Sequence, residues 1–492
     1  MRSTARPAAI ALSLSAAVCA GAPTADPPRN IIVFVADGCG ANTHRAFELW
    51  RGEPALYRGG AWAEHSVATF ALRKPARPDR DRPPLAQDPA LVYRPDAAWS
   101  TAPTDREAGG YAIRFEGYAY LLSTAPDSAN TASAIFTGVP TFVGALDVDG
   151  AGNPVPSIAE AASARGMSVG IVTSVPISHA TPAAAGGAHV PSREMYAEIA
   201  HQLLTSGVCD VIAGAGHPEY DDGALKRTEP IYSFISGEDW KSLRAGTLAP
   251  EGERPWTLVE DAGHVASLGA GDAPLPLLIV ARVAQTLQQQ RPPRDEAGAA
   301  APGEHPFNEG VPTLRDLSLA ALNAVDDDPD GFFLMVEGGA VDWAMHDNQL
   351  GRTIEEMQDF HDAIEAVCAR LDSGDQACDW SNTLVVVTAD HDHLLWGADS
   401  ETVAFQPLGD RGPGKLPGHC WLFNSHSNQP VPLFVRGPGA DRFAAIPTSP
   451  DSHTAPDGRT FERPPYFHQS EIGKLLHRLI GERAPMSTQS EH

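Results

Sequence analysis

The chain has few basic residues and few cysteines, and it lacks a long apolar stretch. Its 492 residues include 36 Lys and Arg against 62 Asp and Glu, which gives a formal net charge of −26. Such a charge disfavours nucleic acid as a partner. No run reaches the roughly 18 apolar residues that a membrane span needs, so no membrane association is predicted. The six cysteines contain no CxxC pair that would suggest a structural zinc site.

Residues 1–20 have the pattern of a secretory signal peptide. Arg2 and Arg6 provide a positive start, and the apolar run that follows ends at Val18, too short to cross a bilayer. Small residues around Ala20 predict cleavage after that position. We therefore expect an exported protein, periplasmic or secreted.

Five cysteines remain after the predicted signal: Cys39, Cys209, Cys368, Cys378 and Cys420. Cys368 and Cys378 flank a short polar loop and are the predicted disulfide in an oxidising compartment. The odd number leaves at least one thiol over, and Cys39 is expected to be buried.

Continuous apolar runs predict strands that are buried on both faces of a parallel sheet. They cover residues 30–36, 168–173, 211–213, 331–336, 382–389 and 431–435. Amphipathic helices are predicted over 312–325 and 353–371, the first from its leucine spacing. Three other stretches lack this regularity and are interpreted as surface insertions, near 72–117, 217–310 and 394–420. The second of them is predicted to carry no site chemistry.

A loop is predicted to turn into a helix at Asp127 and Ser128. Ser, Asn and Thr crowd this start, and a run of small residues follows as far as Gly138. A serine there directs its hydroxyl and the first free N–H groups of the helix at one point, which suits an anion such as phosphate. An ordinary helix cap has the same pattern, so this stretch alone leaves both interpretations open.

Ligand-type side chains come directly after three of the predicted strands. These are Asp37, Glu337, and the adjacent pair Asp390 and His391. The carboxyl ends of the strands in an α/β sheet form the edge where such proteins place their sites. A turn-forming Asp-Gly would explain Asp37 alone, whereas adjacent Asp and His at a strand end can both reach a metal.

Further candidates follow the same strands along the chain. Asp342 and His346 stand four residues apart and share one face of a helix, an arrangement that suits zinc. Thr181 offers a hard oxygen ligand for magnesium, and Arg193 is a forked donor for phosphate. His426 precedes the last strand. Thr181, Arg193 and His426 are each more simply structural residues when taken alone, whereas Asp342 and His346 after the same strand as Glu337 favour a metal site.

Taken together, these pieces resemble the alkaline phosphatase family, and they occur in the order of that family over about residues 29–436. The matching motifs are Asp37-Gly-Cys-Gly, Asp127-Ser128-Ala, His179-Ala-Thr-Pro with Arg193, Val336-Glu-Gly-Gly with Asp342 and His346, Thr388-Ala-Asp-His391, and His426-Ser-Asn. The resemblance implies a three-layer α/β/α sandwich around a central, mostly parallel sheet. It also implies one catalytic domain over 29–492.

The resemblance further implies a site for two zinc ions and one magnesium ion. The implied ligands are Asp342, His346 and His426 for the first zinc, Asp37, Asp390 and His391 for the second, and Asp37, Thr181 and Glu337 for magnesium. Ser128 would be the nucleophile, since metal coordination can activate a serine hydroxyl. Arg193 would bind two oxygens of the phosphate.

Two residues depart from the pattern of some family members. His179 stands where some members have an acidic residue near the magnesium site, so that a third zinc is an alternative there. Trp343 replaces a basic residue or His, which removes a possible water-mediated contact to phosphate. The run of small residues before His189 is one residue longer than in some relatives. The position of Arg193 in the site therefore depends on how this extra residue is accommodated.

We therefore expect an enzyme that hydrolyses small phosphate monoesters through a phosphoserine intermediate. Because relatives of this family are commonly homodimers, the resemblance also implies a homodimer. The alternatives are a phosphodiesterase or sulfatase of the same superfamily, and a silent phosphate-binding or metal-binding protein. Thr181 and Glu337 disfavour the first alternative, and the complete set of ligands disfavours the second.

Overall fold

The computed structural model describes residues 27–72, 91–293, 300–374 and 377–483. The predicted signal at 1–20 and part of the insertion predicted at 72–117 lie outside these ranges. The signal peptide therefore stays a prediction. The same is true of the homodimer and of the boundaries of the single domain. Among the helices of the described ranges, none combines the length and apolar character needed to cross a membrane.

Strands in the described ranges form one large sheet and two small ones. The strands are β1 Asn30–Ala36, β2 Ala63–Ala68, β3 Pro103–Ala108, β4 Tyr111–Phe115, β5 Ser168–Pro176, β6 Val211–Ala215, β7 Thr257–Val259, β8 Leu277–Val280, β9 Phe332–Gly338, β10 Thr383–Thr388, β11 Asp392–Trp396, β12 Cys420–Ser427, β13 Val431–Arg436, β14 Ser449–Thr454 and β15 Thr460–His468. The large sheet has the order β14-β15-β2-β13-β10-β1-β9-β5-β6-β8-β7, and β3-β4 and β11-β12 pair separately.

The centre of the large sheet is parallel and apolar. β10, β1, β9, β5, β6, β8 and β7 all run in one direction, whereas β13 is antiparallel to β10. Every residue of β1, β9 and β10 is buried. Their continuous runs of Val, Ile, Leu and Phe suit strands with both faces covered. The predicted mostly parallel sheet is confirmed.

Helices cover both faces of this sheet. They are α1 Ala41–Arg51, α2 Pro95–Ala98, α3 Glu116–Ser123, α4 Ser128–Thr137, α5 Ile158–Ser163, α6 Ala180–Ala185, α7 Tyr196–Thr205, α8 Gly237–Arg244, α9 Ala262–Leu268, α10 Leu314–Val325, α11 Ala340–His346, α12 Leu350–Asp372 and α13 Ser470–Glu482. α12 packs against α1, α10 and α11, while α4 packs against α5, α6 and α13. The result is the predicted three-layer α/β/α sandwich.

The stretches predicted as insertions contain more regular structure than expected. β7 and β8 fall within 217–310 and extend the large sheet beyond β6. β3 and β4 form a hairpin in the stretch 72–117, beside an aromatic cluster that includes Trp99 and Phe405. The strands β7 and β8 have three and four residues, too few for their apolar patterns to stand out among the surrounding Pro and Gly residues.

The predicted disulfide between Cys368 and Cys378 is wrong. Cys368 is a free, buried cysteine near the end of α12, where burial raises the pKa of its thiol to about 12. The Cys378 side chain instead lies 3.8 Å from the Thr383 Oγ1 atom. Two cysteines that flank a loop can form a bridge only if their side chains face each other, which sequence spacing does not determine. Cys39 is buried as expected.

Candidate active site

The parallel strands bring three carboxylates to one edge of the sheet. Asp37 follows β1, Glu337 lies near the end of β9, and Asp390 follows β10. All three are fully buried. Gly38 turns the chain after Asp37 with a φ of 72°, and its backbone N–H donates to Asp390 Oδ1 at 2.9 Å. A Cβ atom at this glycine would lie 2.8 Å from Met345 Cε, so the tight turn requires glycine here.

Ser128 is the first residue of α4 and points toward this edge. Asp127 caps the helix, accepting from the backbone N–H of Asn130 at 3.1 Å, while the Asn130 side chain accepts from the backbone N–H of Asp127. The Ser128 Oγ atom lies 3.4 Å from Asp37 Oδ1 and 3.2 Å from His391 Nε2. The predicted helix cap is therefore confirmed at Asp127, and the anion-binding role of the adjacent Ser128 stays a prediction.

A group of imidazoles surrounds Asp342 on α11. His346 Nε2 lies 3.3 Å from Asp342 Oδ2 and 3.0 Å from His426 Nε2, which in turn lies 3.4 Å from Asp342 Oδ1. Backbone carbonyls of Asn424 and Pro126 lie within 2.9 Å of the Nδ1 atoms of these two histidines and orient their rings. The three residues predicted for the first zinc thus converge.

His393 belongs to the same group, although it was not predicted as a site residue. Its Nε2 atom lies 2.7 Å from Asp342 Oδ1, and it can share a metal with Asp342, His391 and His426. β11 pairs with β12 so that His393 lies opposite His426. Alternate residues of an extended strand share one face, so the spacing from His391 was the signal that would have identified it.

A second group lies next to the first and shares one imidazole with it. Asp37, Asp390 and His391 offer ligand atoms that lie within 4.8 Å of one another. The His391 Nε2 atom lies 3.3 Å from Asp37 Oδ1 and 3.5 Å from Asp390 Oδ2. Thr131, one turn along α4 from Ser128, places its Oγ1 atom 3.2 Å from Asp390 Oδ2. These are the residues predicted for the second zinc.

A third set of oxygens is buried without partners among the described residues. It comprises Asp37 Oδ2, Thr181 Oγ1 and Glu337 Oε1. Thr173 donates its hydroxyl hydrogen to the other oxygen of Glu337 and fixes that side chain. Three buried oxygens with no hydrogen-bond partner fit a hard cation such as magnesium, which binds oxygen ligands of this kind.

Comparison with known proteins identifies the family to which this chain belongs. Residues 118–406 match the family model described as alkaline phosphatase. The chain belongs to this family.

Similarity to individual members is modest. The chain is 30% identical over 271 residues to alkaline phosphatase 3 of Bacillus subtilis strain 168, covering 54% of this chain and 48% of that protein. It is 31% identical over 299 residues to alkaline phosphatase of Escherichia coli strain K12, covering 54% of this chain and 58% of that protein. The chain thus spans about half the length of the curated relatives it matches.

Solved alkaline phosphatases share the fold. The enzyme of the Antarctic bacterium TAB5 is 19% identical with a TM-score of 0.58, covering 93% of this chain and 100% of that chain. The enzyme of Thermus thermophilus is 18% identical with a TM-score of 0.59, covering 93% of this chain and 92% of that chain. A mutant of the TAB5 enzyme was solved with Mg bound in its M3 site, at a TM-score of 0.56, 19% identity and coverage of 94% and 100%.

Arg193 is held in place at the phosphatase-like site. One guanidinium nitrogen lies 3.1 Å from Asp127 Oδ2, and the other lies 3.3 Å from His179 Nε2. The His179 ring is also bordered by Trp343, with 5.4 Å between ring centroids. Both residues that depart from the family pattern therefore lie beside Arg193 or its partner. Burial, and secondarily the Arg193 charge, lowers the pKa of His179 to about 3.

The buried carboxylates at this edge repel one another. Burial raises the pKa of Asp37 well above its usual range, and the Asp390 and Asp342 carboxylates raise it further. Burial likewise raises the pKa of Glu337 to about 8. Burial also favours a raised pKa at Asp342, but the nearby His346 and hydrogen bonds from three imidazoles hold it well below the usual value. Cations at this edge would offset the repulsion among the carboxylates.

A pocket of about 360 Å³ lies beside these groups, and Ser128, Arg193, Asp342, His346 and His426 are among the residues that line it. Sequence reasoning missed four of the side chains in its lining, namely Glu194, Tyr196, Gln290 and Asp347. Gln290 lies in the stretch 217–310, so this stretch contributes a side chain to the pocket wall, which was not expected. No sequence motif identifies these four residues, because a side chain can line a pocket without any particular spacing from its neighbours in the sequence.

Proposed function

We propose that the protein hydrolyses phosphate monoesters and that Ser128 is its nucleophile. The observation that carries this proposal is the position of the Ser128 hydroxyl. It lies at the start of α4, within 3.4 Å of Asp37 and His391, and lines a pocket large enough for a small organic phosphate. Membership of the alkaline phosphatase family supports the same reaction class.

The ligand sets support two zinc ions and one magnesium ion. Asp342, His346 and His426 are proposed for the first zinc, with His393 fixing the Asp342 carboxylate through its hydrogen bond. The remaining proposed ligands are Asp37, Asp390 and His391 for the second zinc, and Asp37, Thr181 and Glu337 for magnesium. Metal ions bound in this way supply Lewis acidity, which lowers the pKa of a hydroxyl and offsets charge on phosphoryl oxygens.

The residues of the chain then divide the reaction into two displacements. The Ser128 Oγ atom bonds to phosphorus while the ester P–O bond breaks, and the alcohol leaves with a proton. Water then breaks the bond between phosphorus and Ser128 Oγ, which releases inorganic phosphate and restores the hydroxyl. Arg193 binds two phosphoryl oxygens throughout, and Asp127 and His179 hold its guanidinium in the required orientation.

The test compares hydrolysis of 4-nitrophenyl phosphate and of bis(4-nitrophenyl) phosphate, with metal content measured on the same samples. We expect monoester turnover that chelation abolishes and Zn²⁺ with Mg²⁺ restores. Ser128→Ala should lower it by at least about a thousandfold. Ser133→Ala is the matched control, since the Ser133 hydroxyl lies on the same helix but bonds to the Ala145 carbonyl and the Asp147 N–H.

Other outcomes would redirect the proposal. Preferred turnover of the diester would favour a phosphodiesterase, and turnover of a sulfate ester alone would favour a sulfatase. Bound metals with no turnover of any ester would contradict an enzyme and favour a binding role. Equal losses in Ser128→Ala and Ser133→Ala would remove Ser128 as the nucleophile.

A further inference from the structure

The pocket above Ser128 has two walls, and each wall pairs an aromatic ring with a carboxylate. On one wall, Glu194 and Tyr196 lie at the start of α7. On the other wall, Trp343 on α11 is followed one turn later by Asp347, whose backbone N–H donates to the Trp343 carbonyl at 3.2 Å. Residues four apart on a helix lie on the same face, so indole and carboxylate are presented together.

The His179 ring joins the two walls. Its centroid lies 6.4 Å from that of Tyr196, with the rings nearly parallel, and 5.4 Å from that of Trp343, with the rings at 60°. Both aromatic rings thus border the same imidazole, next to Arg193. The alcohol part of a monoester whose phosphate contacts Arg193 and Ser128 would lie between these walls.

The charges on the walls are negative and accessible. Glu194 and Asp347 are both exposed, and Asp347 Oδ2 accepts a hydrogen bond from Gln289 Nε2 at 3.1 Å. Glu194 and Tyr196 border the same pocket and are two residues apart. Burial raises the pKa of the Tyr196 phenol, and the Glu194 carboxylate raises it further. Among the described residues that line the pocket, Arg193 is the one Lys or Arg.

We infer that the pocket favours phosphate monoesters whose alcohol carries an ammonium group. This inference rests on the proposed phosphomonoesterase function and narrows its substrate class. Cations bind over aromatic faces, and a nearby carboxylate adds attraction that a neutral alcohol does not receive. Substrates with further phosphate groups would be repelled by the same two carboxylates.

A pair of esters that differ in one atom tests the inference. Choline phosphate carries a quaternary nitrogen where 3,3-dimethylbutyl phosphate carries carbon, so the two match in shape and differ in charge. We expect kcat/KM to be roughly tenfold higher for choline phosphate at low salt. The ratio should fall between about 20 mM and about 500 mM NaCl, because salt screens charges at accessible positions.

Two double variants distinguish the effect of the charges at the pocket from the effect of the net charge of the protein. Glu194→Gln with Asp347→Asn removes the carboxylates of the walls and should lower the ratio of the two kcat/KM values from roughly tenfold to about threefold, because only the attraction of the aromatic rings for the cation then remains. Glu253→Gln with Asp272→Asn is the matched control. These exposed residues precede β7 and β8, at the sheet edge opposite the site, and the net charge changes by the same amount. The control should keep the ratio of the unmodified protein.

The outcomes distinguish this inference from the function on which it rests. A ratio near one in the unmodified protein would overturn the inference while leaving phosphomonoesterase activity intact. A ratio that is unchanged in the variant of the walls, or that falls equally in the control, would also overturn it. Failure to hydrolyse 4-nitrophenyl phosphate and both of the matched esters would overturn the proposed function, and the inference with it.

Discussion

The two ends of the central strands carry polar side chains of different kinds. At the amino end of β1, Asn30 donates to the Thr383 hydroxyl on the neighbouring strand at 3.1 Å. At the carboxyl end, Asp37, Glu337 and Asp390 converge, and one oxygen each of Asp37 and Glu337 has no partner among the described residues. Neutral groups that bond to each other stabilise a fold, whereas buried like charges destabilise it unless a cation is present. This difference supports the proposal that the carboxyl end binds metal ions, whereas the amino end contributes to stability.

The largest expected effect is at the carboxyl end. Asp37→Asn should lower kcat/KM for 4-nitrophenyl phosphate by about a thousandfold or more, because this residue belongs to two of the proposed ligand sets. The metal-free variant should be at least as stable as the metal-free parent, since one member of a repelling group is neutralised. Thermal unfolding in the presence of chelator measures this. Loss of stability together with activity would contradict the division between the two ends.

Metal removal should destabilise the protein by about 3 kcal/mol or more, since metals at a hundred times their Kd stabilise by about that amount. Thermal unfolding with and without chelator provides the measurement. Asp37→Asn should show a smaller difference between the two conditions, whereas Asn30→Ala should show the same difference as the parent. An identical response in all three proteins would argue that the metals bind elsewhere.

Thr131→Val should have an intermediate effect. Its hydroxyl lies 3.2 Å from Asp390 Oδ2, and loss of such supporting contacts costs about 10- to 100-fold in metal affinity or activity. Zinc titration followed by activity measurement checks this. Thr137→Val is the control on the same helix, because its hydroxyl donates to the Ser133 carbonyl, away from the carboxylates. Equal effects of the two variants would mean that only the helix is perturbed.

The smallest effect is expected at the amino end. Asn30→Ala removes a fully buried donor and should lower the free energy of unfolding by about 1–3 kcal/mol. Denaturant unfolding gives the stability, and an assay at 25 °C should show turnover close to that of the parent. A tenfold loss of turnover with stability unchanged would show that the amino end also shapes the site.

Sequence alone predicted the elements that have strong local patterns. Continuous apolar runs predicted β1, β9 and β10, and their ends pointed to Asp37, Glu337 and Asp390. The first strand was predicted with its observed bounds, Asn30–Ala36. These features were predictable because burial on both faces leaves few residue types available, and because parallel strands end at a common edge.

Features that depend on tertiary position were not predictable in the same way. His393 was missed because the short strand β11 was not recognised, although its spacing from His391 follows the period of a strand. The Cys368 and Cys378 pairing failed because spacing does not report side-chain direction. Gln290 was missed because a long, weakly patterned segment gave no reason to place it near the site.

Arg193 has a consequence for the end of the catalytic cycle. Asp127 and His179 contact its guanidinium within the protein itself, so the fold contributes to the ordering of this long side chain. A guanidinium oriented in this way can contact the oxygens of free inorganic phosphate as well as those of the ester. We therefore expect the departing product to compete with fresh substrate, so that its residence time on this guanidinium limits the rate of turnover.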